Sequence, residues 1–111
     1  MPDLNLVHRV RLPPDVSGPV PAIVMVHGWL GNENVMWAFA SALPGRALAI
    51  SMRAPVESDG GYGWMQADRV EPSGDGAGSF EQGLAALREF VIQIPRAYPV
   101  DPGRVALMGF S

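Results

Sequence analysis

Three short apolar runs constrain what this chain can fold into. Ala22-Ile23-Val24-Met25-Val26 is unbroken, partly β-branched and stopped by His27-Gly28. Arg46-Ala47-Leu48-Ala49-Ile50-Ser51 and Arg104-Val105-Ala106-Leu107-Met108-Gly109 have the same character. Runs of this length without polar alternation predict strands buried on both faces, with the first of them central. Ahead of them, Leu4, Leu6, His8, Val10 and Leu12 alternate with Asn5, Val7, Arg9 and Arg11, the period of a half-exposed strand.

Helical spacing fills the intervals. Asn32 or Asn34 can cap a helix in which Val35, Met36, Phe39, Ala40 and Leu43 recur at three and four residues, ended by Pro44-Gly45. Ser79-Phe80-Glu81-Gln82 matches a capping box. Phe80, Leu84, Leu87, Val91 and Ile94 then predict one apolar helical face, which Pro95 ends or kinks. Between them, residues 54–78 show no period and are rich in turn signals, including Asp59-Gly60-Gly61 and the run Gly74-Asp75-Gly76-Ala77-Gly78. A loop of that length in a compact domain is usually functional or mobile. The order is therefore strand, then strand-helix-strand-loop-helix-strand, an α/β alternation predicting a mostly parallel sheet with helices on both faces.

Composition excludes several function classes. All 8 basic residues are arginine against 11 acidic ones, giving a net charge of −3 and a pI near 5.2, which argues against nucleic-acid or anionic-membrane binding. No cysteine is present, so neither disulfides nor thiolate chemistry are available. The most apolar stretch is far shorter than the ~20 residues of a membrane helix. No secretion signal opens the chain, so the cytoplasm is the expected location. A domain of 111 residues buries roughly 65% of its unfolded surface, enough for one modest core.

Chemistry in a parallel sheet gathers at the carboxyl ends of its strands. Here those ends are residues 27–31, 51–55 and 109–111. Gly109-Phe110-Ser111 can open a G-x-S-x-G nucleophile elbow. With 13 glycines a Gly-x-Ser tripeptide is expected about once by chance, so its weight comes from the buried strand that runs straight into it. The turn His27-Gly28-Trp29-Leu30-Gly31 has two readings. It can aim the Trp29 backbone N–H into the site as half of an oxyanion hole, or His27 and Trp29 can simply pack in a glycine turn. His27 precedes the serine, whereas the base of this fold comes after it, so His27 is not expected to be the catalytic base. His8, on an apolar strand face, reads as a structural histidine.

Nucleotide binding is not supported. The glycine run 74–78 is preceded by no strand and lacks Gly-Lys-Ser/Thr, and Gly28-x-x-Gly31 lacks the dinucleotide spacing, so the run reads as a flexible linker. The scattered acidic residues of the loop and two distant histidines predict no metal site, and no cofactor is expected.

Five ordered motifs carry a resemblance: residues 27–34 (HGWLGNEN), 53–55 (RAP), 60–64 (GGYGW), 100–105 (VDPGRV) and 109–111 (GFS). In order and spacing they resemble the phospholipase/carboxylesterase family of α/β-hydrolases, which includes acyl-protein-thioesterase-like esterases, over nearly all of residues 20–111. The resemblance implies a serine hydrolase of carboxylic esters or thioesters. Ser111 is then the nucleophile, the Trp29 N–H lies in the oxyanion hole, and Leu30, Arg53, Pro55 and Trp64 bind substrate around the acyl pocket. Serine rather than cysteine argues against the related dienelactone hydrolases.

The sequence departs from that family after Ser111: the second elbow glycine, the second oxyanion donor and the triad acid and base are not in these residues. Residues 1–111 read as one incomplete α/β-hydrolase domain, its amino-terminal half, expected to be inactive alone, to expose the edge of its last strand and to self-associate. The alternative is a non-catalytic α/β binding module, or one half of a split protein that a carboxyl-terminal partner completes.

Overall fold

A computed structural model of the protein describes residues 4–15, 17–65 and 75–110. The principal sheet has four strands in the order β1-β3-β2-β6: β1 (His8–Arg11), β2 (Val20–Val26), β3 (Leu48–Met52) and β6 (Val100–Gly109). β2 pairs in parallel with β3, Val24 facing Ile50, and with β6, Val24 facing Leu107, while β1 closes the far edge antiparallel to β3. β2 is central, as its unbroken apolar run requires. β6 holds the other edge and, among the described residues, is paired on one side only.

Side-chain alternation divides the core between the two faces. Ala22 and Val24 of β2, with Leu48, Ile50 and Met52 of β3, pack beneath α1 (Asp75–Ala97) against Phe90, Ile94 and Tyr98. Met25 and Ala49, pointing the other way, meet Met36 of a 3₁₀ helix (Val35–Ala42). Helices thus cover both faces, as expected of an α/β sheet whose strands are apolar throughout. Among the described residues no helix is long and apolar enough to cross a membrane.

Several local expectations are corrected. The segment 35–42 is 3₁₀ rather than α-helical; Asn34 makes no side-chain cap, and Leu43 N–H closes on the carbonyl of Ala40. Met36 and Ala40 are buried, and Val35 and Phe39 are exposed. The helix read as capped at Ser79 already begins at Asp75. Residues 75–78 are therefore helical rather than linker. The buried face of α1 is also rotated: Phe90 and Ile94 are fully enclosed, whereas Phe80 and Leu84 are about half exposed. Pro95 neither ends nor replaces the last turn, since the helix runs on to Ala97 and Tyr98 N–H reaches the carbonyl of Ile94.

A further correction concerns the long aperiodic loop. It contains a hairpin of β4 (Val56–Ser58) and β5 (Gly61–Gly63), turned at Asp59-Gly60. Both turn residues have positive φ, 40° and 85°, the backbone that an Asp-Gly pair supplies to a two-residue hairpin. Residues 66–74 lie outside the described residues. β6 gains a bulge between Val100 and Val105, where Gly103 N–H donates to Asp101 Oδ1 at 2.9 Å; the longer pairing from Val105 to Gly109 is the predicted strand, but it is not buried on both faces as expected, for it lies at the sheet edge with Ala106 and Leu107 exposed.

Candidate active site

The carboxyl ends of β2 and β6 lie side by side, Val26 opposite Gly109. The turn after β2 closes with Gly31 N–H on the Gly28 carbonyl at 3.2 Å. Leu30, at its corner, takes φ of 63°, a left-handed conformation that is costly for a bulky side chain and is kept only where its surroundings enforce it. Here the enforcing partner is the hairpin: Tyr62 N–H donates to the Gly31 carbonyl at 2.9 Å. Gly63 of the same hairpin lies flat against the Trp29 indole, with room for no Cβ.

An open, mainly apolar cleft of about 560 Å³ sits against this turn, lined by Val26, Gly28, Trp29, Trp64, Phe80 and Phe110. A second depression of about 460 Å³ lies across Trp29, bordered by Leu30, Val35, Phe39 and again Phe110. The Phe39 and Phe110 rings meet at 6.0 Å. Trp64 is fixed by its indole N–H, which donates to the His27 carbonyl at 2.9 Å. Among the described residues no acceptor meets the N–H of Trp29.

The structure thus brings Trp29, Leu30 and Trp64 together and sets Arg53 and Pro55 apart from them. Those two line a different depression, beside Asn5, Val7, Glu57 and Tyr62, because the chain leaving β3 is drawn toward β1 by Arg53 N–H donating to the Val7 carbonyl at 2.8 Å. The Arg53 guanidinium grips Glu33 with two bonds, 2.9 and 2.7 Å, and lies 4.5 Å over the Tyr62 ring. It therefore braces the turn and the hairpin from behind the cleft. Ser111 lies outside the described residues; Phe110, immediately before it, borders both depressions.

Glu33, Phe80 and Phe110 were not singled out from the sequence. Phe80 fitted the core face of a helix, and nothing local marks Glu33 as the partner of an arginine twenty residues on. Hydrogen bonding from Arg53 holds the Glu33 carboxyl below its ordinary 4.5. Its contribution to stability is therefore complete above pH 4.5 and disappears as pH falls through the lowered folded value. Glu33→Gln is expected to cost up to about 1 kcal/mol at pH 7, the range of partly exposed pairs. The gap from wild type should narrow as pH falls below 4.5 in urea titrations followed by circular dichroism.

Both histidines are committed. His8 Nε2 pairs with the Tyr98 hydroxyl at 2.8 Å, and Nδ1 lies 3.3 Å from the Leu6 carbonyl, the structural role its position on β1 implied. His27, 2% exposed, bonds Gly28 and Ala54 through its two ring nitrogens. Neither has a nitrogen left to take a proton from a serine.

No protein-family model matches the chain, and no curated protein matches it. Solved structures do resemble it. A Bacillus cereus carboxylesterase superposes with a TM-score of 0.69 over 95% of this chain at 22% identity. The Agrobacterium tumefaciens str. C58 protein Atu2452, of unknown function, does so with 0.71 over 96% at 24% identity. The chain spans 48% of each, about half their length. Likeness at this identity establishes the fold: a carboxylesterase-like α/β architecture with a mostly parallel sheet.

Proposed function

We propose that the chain is the amino-terminal half of a serine hydrolase domain that cleaves carboxylic esters or thioesters through an acyl-enzyme. The observation that carries this reading is the position of the Trp29 turn: it stands beside an apolar cleft with an N–H that has no acceptor among the described residues, at the carboxyl end of the strand paired with the one leading to Ser111. Developing oxyanion charge is best met by donors already fixed in place.

In this mechanism Ser111 Oγ attacks the carbonyl carbon as a base removes its proton. The alcohol or thiol departs with a proton, and water then releases the acid and restores the serine. Since His8 and His27 are both hydrogen-bonded elsewhere, the base is supplied from outside residues 1–111, as are the triad acid and the second oxyanion donor. Leu30 and Trp64 border the two apolar depressions that flank Trp29. Arg53 and Pro55 act on the cleft from the neighbouring depression, Arg53 through Glu33 and Tyr62.

A fluorophosphonate probe applied to the full-length protein tests the reading. A single adduct mapped by peptide mass to Ser111 is expected, together with coding sequence that continues past Ser111 as x-Gly and supplies a later Asp and His. An adduct confined to another residue, or a verified stop codon directly after Ser111, overturns it.

A further inference from the structure

We infer that His27 is a positioning residue: held as its neutral Nδ1–H tautomer, it ties the turn that carries the Trp29 N–H to the end of β3, and protonation of its ring undoes that tie. The inference rests on the proposed role of the turn as an oxyanion loop.

The partners dictate the tautomer. The Gly28 carbonyl, 2.7 Å from Nδ1, can only accept, so Nδ1 carries the proton. The Ala54 backbone N–H, 3.0 Å from Nε2, can only donate, so Nε2 presents its lone pair. One ring thus joins the first residue of the turn to the chain just beyond β3. It has no room to rotate away. Trp64 packs on it at 5.5 Å and bonds its carbonyl, while Gly31 lies so close that a Cβ there would stand 2.7 Å from Nδ1.

A second proton would have to occupy Nε2 and face the Ala54 N–H, setting donor against donor inside a closed site. Little nearby would stabilise the cation. The turn residues Gly28, Trp29, Leu30 and Gly31 carry no charge, nor do Ala54 or Trp64. Among the described residues Glu33 is the acidic group whose field reaches the ring, and both its oxygens are held by Arg53. Burial accordingly keeps the His27 pKa below its ordinary 6.5. The unfolded chain accepts that proton near 6.5 and the folded one resists it. The stabilisation from His27 is therefore full above pH 6.5 and declines as pH falls through the folded value.

Histidine-ring ¹⁵N–¹H correlation spectra of the full-length protein between pH 8 and 5 test this, with amide exchange at Ala54 read in parallel. At pH 8 His27 should show the Nδ1–H pattern; its midpoint should lie below 6.5, and exchange at Ala54 should accelerate with that same midpoint. His27→Gln keeps a non-titrating acceptor for the Ala54 N–H and should keep its exchange slow at pH 5. His27→Asn, too short to reach Ala54, should exchange fast at every pH. In ester hydrolysis at pH 8, His27→Asn should lower kcat about 10²-fold with little change in KM, the cost of a misplaced donor, and His27→Gln should stay within about threefold of wild type. An Nε2–H pattern at pH 8, a midpoint at 6.5, or an Ala54 amide indifferent to the ring overturns the inference. The spectra do not depend on catalysis, so they stand if the hydrolase reading falls. Should His27→Asn not fold, the wild-type titration still decides.

Discussion

Ser111→Ala is expected to abolish hydrolysis of p-nitrophenyl esters by the full-length protein, lowering kcat by about 10⁴-fold or more and eliminating fluorophosphonate labelling. The size of the effect comes from the chemistry assigned to that oxygen. Without Oγ no acyl-enzyme forms, and only substrate binding and the oxyanion donors remain, worth about 10³–10⁴ over the uncatalysed reaction in serine hydrolases. Trp29→Ala should behave differently, because the proposed donor is its backbone N–H and survives the substitution. The loss of an indole that separates two apolar depressions should appear mainly in KM, with labelling at Ser111 retained. A Ser111→Ala protein that still turns over esters removes Ser111 from the mechanism. Equal loss of kcat in Trp29→Ala removes the backbone argument for the turn.

The sequence made the strands legible because a strand buried on both faces is apolar nearly throughout, as 22–26 and 47–50 are; 105–108 has the same character although β6, at the sheet edge, leaves Leu107 exposed. It placed Trp29 near the active edge for the same reason, since strand ends are easy to find once strands are, whereas Trp64 was reached only through the family resemblance. The small hairpin was hidden despite its Asp59-Gly60 signal. Each of its strands is three residues long, and Gly61 and Gly63 remove the alternation that marks a strand. Its position depends instead on a long-range bond, Tyr62 to Gly31. The face of α1 was misjudged because periodicity shows which residues share a side, not which part of that side the sheet beneath meets. Phe80 and Leu84 are half exposed, and Phe80 lines the cleft instead. His27 could be dismissed as a base from chain order alone. Its tie to Ala54, 27 residues away, could not be read from any local pattern.

Phe90→Ala carries the largest expected loss of stability, about 3–5 kcal/mol, the usual cost of emptying a closed aromatic site. Phe90 is the largest of the fully enclosed side chains. It packs among Val24, Ile50 and Met52 beneath α1, and its ring meets His8 edge-on at 5.8 Å. Relaxation cannot recover the volume cheaply, because β2 and β3 are held by pairing on both sides and cannot move toward the helix without breaking register. Against a total of about 5–15 kcal/mol for a domain, the substitution leaves a protein near its threshold. With an m-value near 2 kcal/mol/M the urea midpoint should fall by about 2 M. Leu84→Ala, on the same helix but half exposed, should shift it by less than a quarter of that. The pair separates packing from helix propensity, since alanine is the better helix former in both. Equal shifts would mean that α1 is held by its own sequence rather than by the sheet. The cleft wall that Phe80 supplies would then lose its anchor in the core.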